Sequence, residues 1–263
     1  SIMNLCFMMH TVLENQVWEQ SFLITKIDEL ELLLRNLKRW GFSFAKASEF
    51  RENNKAVAYL TFDDGYLDNW TILFPYLNEH RIPFTIFVNK DFVEDSERVR
   101  DFGDRTPGYL SVGEIRRMHE SGLVDIQSHT VSHTSVPISC RVENIFKKEL
   151  KRDYPFIMWN RELACKPYWL HNSYVKYFGL PLFQSDRALR AIQYVFDNDA
   201  LAHFEQSVKE KRLNTSAANK LLEQYSNIGR YETYEERDRR YRDEISQNAH
   251  FIKAITGTYP NVL

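Results

Sequence analysis

Between Leu5 and His133 the chain repeats one pattern, a short apolar β-rich run followed by a stretch with helical spacing. Strands separated by helices pair in parallel, because the helix must carry the chain back before the next strand starts. That constraint makes the stretch α/β. The predicted strands are Leu5 to Met9, Ala56 to Phe62, Pro83 to Val88 and Leu123 to Gln127. A helix is predicted over Thr25 to Trp40, with Ile27, Leu30, Leu33, Leu34 and Leu37 on one face. Thr25 with Asp28 would form its capping box, and Gly41 its C-cap. A second helix runs from about Leu67 to His80, and a third opens with the capping-box spacing of Ser111 and Glu114 and closes at Ser121-Gly122.

Beyond Asp153 the alternation stops. The stretch begins rich in aromatic residues, among them Tyr154, Trp159, Trp169 and Tyr177, and turns into a charged helical sequence from Ser185 to Tyr225. A polar helix follows from Tyr231 to Ile255, with Ile245, Ile252 and Ile255 as sparse apolar points. The expected organisation is therefore residues 1–152 carrying strands and site, 153–226 a helical insertion, and 227–263 a helix returning to the first part. With 43% hydrophobic and 14% aromatic residues in 263, there is material for one large domain or two small ones.

Lys and Arg number 34 against 36 Asp and Glu, a formal charge of -2. That balance gives no electrostatic case for nucleic acid and suits a neutral sugar chain. No run of about 18 apolar residues exists, so no membrane span is expected. Ile2 to Met9 lacks the basic start and the cleavage site of a signal peptide, which leads to a cytoplasmic expectation. Cys6, Cys140 and Cys165 are too few and too scattered for a disulfide framework and are read as free thiols.

In parallel α/β folds the active site lies at the carboxyl ends of the strands. Two polar clusters fall there. Thr61-Phe62-Asp63-Asp64-Gly65 ends one strand. Alone it reads as an ordinary Asp-Gly turn, although two adjacent carboxylates repel unless a cation sits beside them. Ser128-His129-Thr130-Val131-Ser132-His133-Thr134 follows another strand. A separation of four puts both imidazoles on one face if the segment is a helical turn, and alone it could be a pair of surface histidines. Together the clusters supply two histidines and a carboxylate, a set that binds Zn²⁺ and leaves positions open for water and substrate.

Most of residues 5 to 150 resembles the polysaccharide deacetylase family, the NodB-homology carbohydrate esterases. Met9-His10-Thr11-Val12 resembles the family's opening strand. Leu60 to Asn69, with Thr61-Phe62-Asp63-Asp64-Gly65 inside it, is similar to its first motif, and Ser121 to His133 to its second and the approach to it. The resemblance implies an α/β fold, a (β/α) barrel of the deacetylase type, incomplete here and with a helical insertion. It implies Asp63 as general base, Asp64, His129 and His133 as ligands of a divalent metal (Zn²⁺ first), and a metal-bound water as nucleophile. The substrate would be an N-acetylated glycan, losing N-acetyl or O-acetyl groups by hydrolysis. Thr134 departs from the family's usual Pro but is not a ligand position.

The family's later motifs, including the Leu-x-His that supplies a general acid, are not found. Glu244 to Pro260 resembles the approach to the third motif, which leads to the expectation of a chain that stops short and works weakly alone. Lys166 to His171 resembles that motif with Lys for Arg, but Lys cannot reproduce a bidentate Arg grip. Of the remaining histidines, His10 at the end of the first strand is the best placed. A carbohydrate-binding protein that keeps the metal site without catalysis, and an amidase of small cyclic amides, are the alternative readings.

Overall fold

Four predicted strands lie side by side and parallel in the computed structural model, which describes residues 3–15, 23–153 and 173–263. The chain divides into two compact units, Ser1–Val131 with Ile245–Leu263, and Ser132–Glu244.

In the first unit, β1 (Leu5–Met9) leads to β2 (Thr11–Leu13), which pairs with β3 (Ile24–Lys26). Helix α1 (Ile27–Arg39) buries Leu30, Leu34 and Leu37. Its start differs from the expected Thr25–Asp28 box: the Lys26 N–H donates to the Glu29 side chain at 3.1 Å. Its end is a Schellman turn. Gly41, at φ 84°, donates to Lys38, and Phe42 to Leu37. Strands β4 (Ser43–Ala45) and β5 (Val57–Asp63) come next. A π-type turn at Asn69–Leu73 precedes α2 (Phe74–Glu79), where a plain α-helix was expected from Leu67.

Strand β6 (Phe84–Val88) is followed by α3 (Val112–Glu120) and β7 (Val124–Ser128). The predicted capping box of α3 is present, with Glu114 N–H donating to Ser111 Oγ and Ser111 N–H to Glu114 Oε2. The strand order is β1-β5-β6-β7, with β4 also along β5. All five residues of β6 are buried, as in a strand covered on both faces. Leu60, Phe62, Phe84, Ile86 and Ile126 of the sheet pack with Leu30, Leu73, Leu77, Ile115 and Ile252 of the helices. The free side of β7 takes the last residues: Gln127 Oε1 accepts from the N–H groups of Asn261 and Val262.

The second unit corrects the expected boundaries and content. It begins at Ser132 and not at 153, and it is not simply helical. Strands β8 (Ser135–Ile145) and β9 (Pro181–Arg187) pair antiparallel, and β10 (Tyr194–Phe196) pairs with β11 (Gly229–Tyr231). Helices α4 (Asn198–Glu210) and α5 (Thr215–Leu222) lie between the last two. Phe183, Phe204, Val208, Ala218 and Ile228 form the core. The physical reason is non-local pairing: β8 and β9 each satisfy their ladder with a partner some 40 residues away, which local helical spacing does not reveal. Helix α6 (Tyr234–Thr256) passes from this unit into the first at Ile245. Cys6 and Cys140 are free thiols. Cys165, the Lys166–His171 stretch and most of the aromatic run lie outside the described residues. No helix among the described residues is long and apolar enough to cross a membrane.

Candidate metal centre

The carboxyl end of β5 turns sharply. Asp64 and Gly65 both adopt left-handed backbone, at φ 75° and 68°. At Gly65 a Cβ would come within 3.3 Å of Val88 Cγ1, so both torsion and space favour glycine. The turn separates the two carboxylates. Asp63 faces His10, whose Nε2 is 3.9 Å from Asp63 Oδ2. Burial, and next the charge of Asp64, push the Asp63 carboxyl up to about 7. Asp64 faces His129, with Oδ1 to Nε2 at 3.5 Å. Behind it the buried Tyr66 hydroxyl hydrogen-bonds the Asp64 carboxylate and Tyr109 hydrogen-bonds Tyr66, while burial raises both phenols well above their ordinary value. Such partners fix the orientation of the carboxylate they touch.

The carboxyl end of β7 carries the histidines. His129 N–H donates to Val88 O at 3.0 Å. The expected helical turn over His129 to His133 is absent. The segment bends instead, with Thr130 at φ 77° and His133 at φ 46°. Asn89, fully buried at the end of β6, accounts for the difference. Its Nδ2 donates to the carbonyls of His129 at 2.5 Å and Thr130 at 3.0 Å, groups that a helix would have used internally. Asn248 of α6 braces the same strand ends, donating to Val88 O at 2.9 Å and Ser128 Oγ at 2.8 Å and accepting from Lys90 N–H at 2.8 Å.

Asp64, His129 and His133 each offer one ligand atom, and these atoms lie within 4.8 Å of one another. The chemistry of this donor set suits a divalent metal. A tetrahedral site with bonds of about 2.1 Å has edges of roughly 3.4 Å, close to the Asp64–His129 separation. Among the described residues, three of the six non-glycine residues with positive φ, Asp64, Thr130 and His133, sit in these two loops. Strain of that kind persists where the surroundings over-determine it, and functional sites are where it gathers. The residues missed by sequence reading are Asn89, Asn248, Tyr66 and Tyr109. Asn89 had a usable signal, since it too follows the carboxyl end of a predicted strand. Asn248 and Tyr109 had none, being distant in sequence from what they touch.

Residues 50–157 match the family model described as polysaccharide deacetylase. Among solved structures, the deacetylase domain of BpsB from Bordetella bronchiseptica is similar over 98% of this chain and 77% of its own, at 18% identity and a TM-score of 0.54. A de-N-acetylase from Aggregatibacter actinomycetemcomitans is similar over 98% of this chain and 76% of its own, at 16% identity and a TM-score of 0.55. At such identities the likeness establishes the fold. No curated protein matches the sequence.

Proposed function

We propose that this chain, whose residues 50–157 match the polysaccharide deacetylase family model, is a metal-dependent hydrolase that removes N-acetyl groups from an amino-sugar polymer. The de-N-acetylase named among the similar structures supports the choice of amide over ester. Asp64, His129 and His133 are assigned as the ligands of a divalent metal, Zn²⁺ first. When bound, such a metal acidifies water and polarises the acetamide carbonyl.

The observation that carries the reading is that Asp63 adjoins Asp64 of the ligand cluster in sequence without belonging to the cluster, and has His10 Nε2 3.9 Å from its carboxylate. Asp63 takes the proton of the attacking water on a carboxylate oxygen. Burial makes that carboxylate more basic than an exposed one, which suits a base working near neutral pH. The amine leaves only as its nitrogen gains a proton, and His10 Nε2 is assigned as the donor. It takes up His10 as the best placed of the remaining histidines, in place of a donor from a later motif. The non-catalytic alternative has less support, because the base and a titratable histidine stand together at the cluster. Metal analysis and acetate release from N-acetylated oligosaccharides test the reading. Asp63→Asn should retain metal and lose activity, and His129→Ala should lose both. Full activity in Asp63→Asn would remove the base from the proposal.

A further inference from the structure

Asp68 and Asn69 follow the acidic motif and bind none of its donors. They bind the exit of β1 instead. Asn69 Nδ2 donates to the His10 carbonyl at 3.1 Å and to Asp68 Oδ1 at 3.0 Å. Asp68 Oδ1 accepts from the Val12 N–H at 2.8 Å, and Oδ2 from the Thr11 hydroxyl at 3.0 Å. Asn69, Asp68 and Thr11 are 0%, 2% and 2% exposed. Two adjacent side chains thus hold His10 and the two residues after it, just where the chain leaves the parallel sheet. A buried carboxylate is a costly tether, since it must be stripped of water. The pair also opens the π-type turn Asn69–Leu73, a form of helix frequent at functional sites. Asp63 stands at the other end of the same loop.

We infer that Asp68 and Asn69 are positioning residues for His10, fixing its imidazole within reach of the departing nitrogen. The inference rests on the reading of His10 as proton donor. In that step the C–N bond breaks, its electron pair goes to nitrogen, and the nitrogen takes the proton from His10 Nε2. A phenolate-type leaving group departs as a stable anion and needs no such proton. Misplacing His10 therefore penalises an amide far more than an activated ester, whereas general loss of structure penalises both alike.

The test uses the full chain loaded with zinc and compares kcat on an N-acetylated chito-oligosaccharide with kcat on 4-methylumbelliferyl acetate. In Asn69→Ala the amide-to-ester ratio should fall about 10²-fold, the scale of a displaced catalytic group. Thr11→Val should lower it in the same direction by less, and Asp68→Asn, which keeps an acceptor for Val12, by less than Asp68→Ala. His10→Gln should show the largest fall. Equal losses on both substrates in Asn69→Ala, beside a selective loss in His10→Gln, would overturn the positioning role and leave the donor standing. An unchanged ratio in His10→Gln would overturn both. If the zinc-loaded wild type turns over neither substrate, the reading of function fails, and the His10 ring decides the inference alone. Its Cε1–H resonance, assigned by its loss in His10→Gln, should shift and broaden in Asn69→Ala. An unmoved resonance would overturn the inference. Should Asn69→Ala not fold, Thr11→Val, which removes a single hydroxyl, carries the same comparison.

Discussion

In the loop after β5, support for Asp64, the proposed ligand, begins with its neighbours in the chain. Gly65 permits the turn and Tyr66 grips the Asp64 carboxylate. In the loop after β7, the supports come from far away. Asn89 is 40 residues from His129, and Asn248 is 120 from Ser128. Ser132 likewise leans on Glu244, 112 residues on, at 2.6 Å. A site can therefore be half written in one contiguous string and half distributed across the chain, with the same degree of order at the end.

Five substitutions can break or sharpen that contrast. The largest effect is expected at a proposed ligand. His129→Ala should leave metal content at background and abolish acetate release, whereas Asp63→Asn should keep the metal and lose about 10²–10⁴-fold in rate. Retained metal in His129→Ala would show that the distributed loop is dispensable. Next is Asn89→Ala. It leaves the His129 and Thr130 carbonyls without their donor, and metal affinity should weaken about 10–100-fold, as for other groups that orient ligands. Competition with a chelator measures this, and an unchanged affinity would mean that the loop holds its shape unaided.

Gly65→Ala tests the contiguous loop. Left-handed backbone costs an L-residue about 1–2 kcal/mol, and the added methyl crowds Val88. Thermal unfolding should show that loss, with metal affinity following it. A variant as stable as wild type would remove the turn from the account of the site.

The last comparison concerns pH. Complete burial pushes the Asp68 carboxyl up to about 7, against the hydrogen bonds from Val12, Thr11 and Asn69. An acid with a raised folded pKa contributes stability that is whole below its unfolded value and lost as pH rises through the folded one. Between about pH 4 and pH 7 the wild type should therefore lose ground in urea relative to Asp68→Asn, which has no proton to release. Parallel curves for the two would mean that Asp68 ionises alike in both states.

The same contrast explains what could be read from the sequence. The parallel strands of the first unit were legible, because each apolar run is bounded by its own helix and turn signals. Asp63, Asp64, His129 and His133 stood out because they fall at the ends of those strands. The shape of the histidine loop was not legible. A spacing of four suits a helical turn, but the amide of Asn89 takes the carbonyls that such a turn would use. Strand β8 carried a readable alternation in Val136, Ile138, Cys140 and Val142, yet its partner β9 pairs with it across a long sequence gap. His10 could be nominated by its place at the end of β1, but only the folded chain sets it 3.9 Å from Asp63.

Asn248 has a consequence for time. Its amide reaches Val88 across 160 residues, and that contact cannot form before α6 has docked along β6 and β7. Closing so wide a span is entropically slow compared with forming a helix or a turn. During refolding, helical signal should return first and tight metal uptake last, with α6 as the step that separates them. A chain caught before that step would hold most of its secondary structure and still give the proposed metal up to a weak chelator.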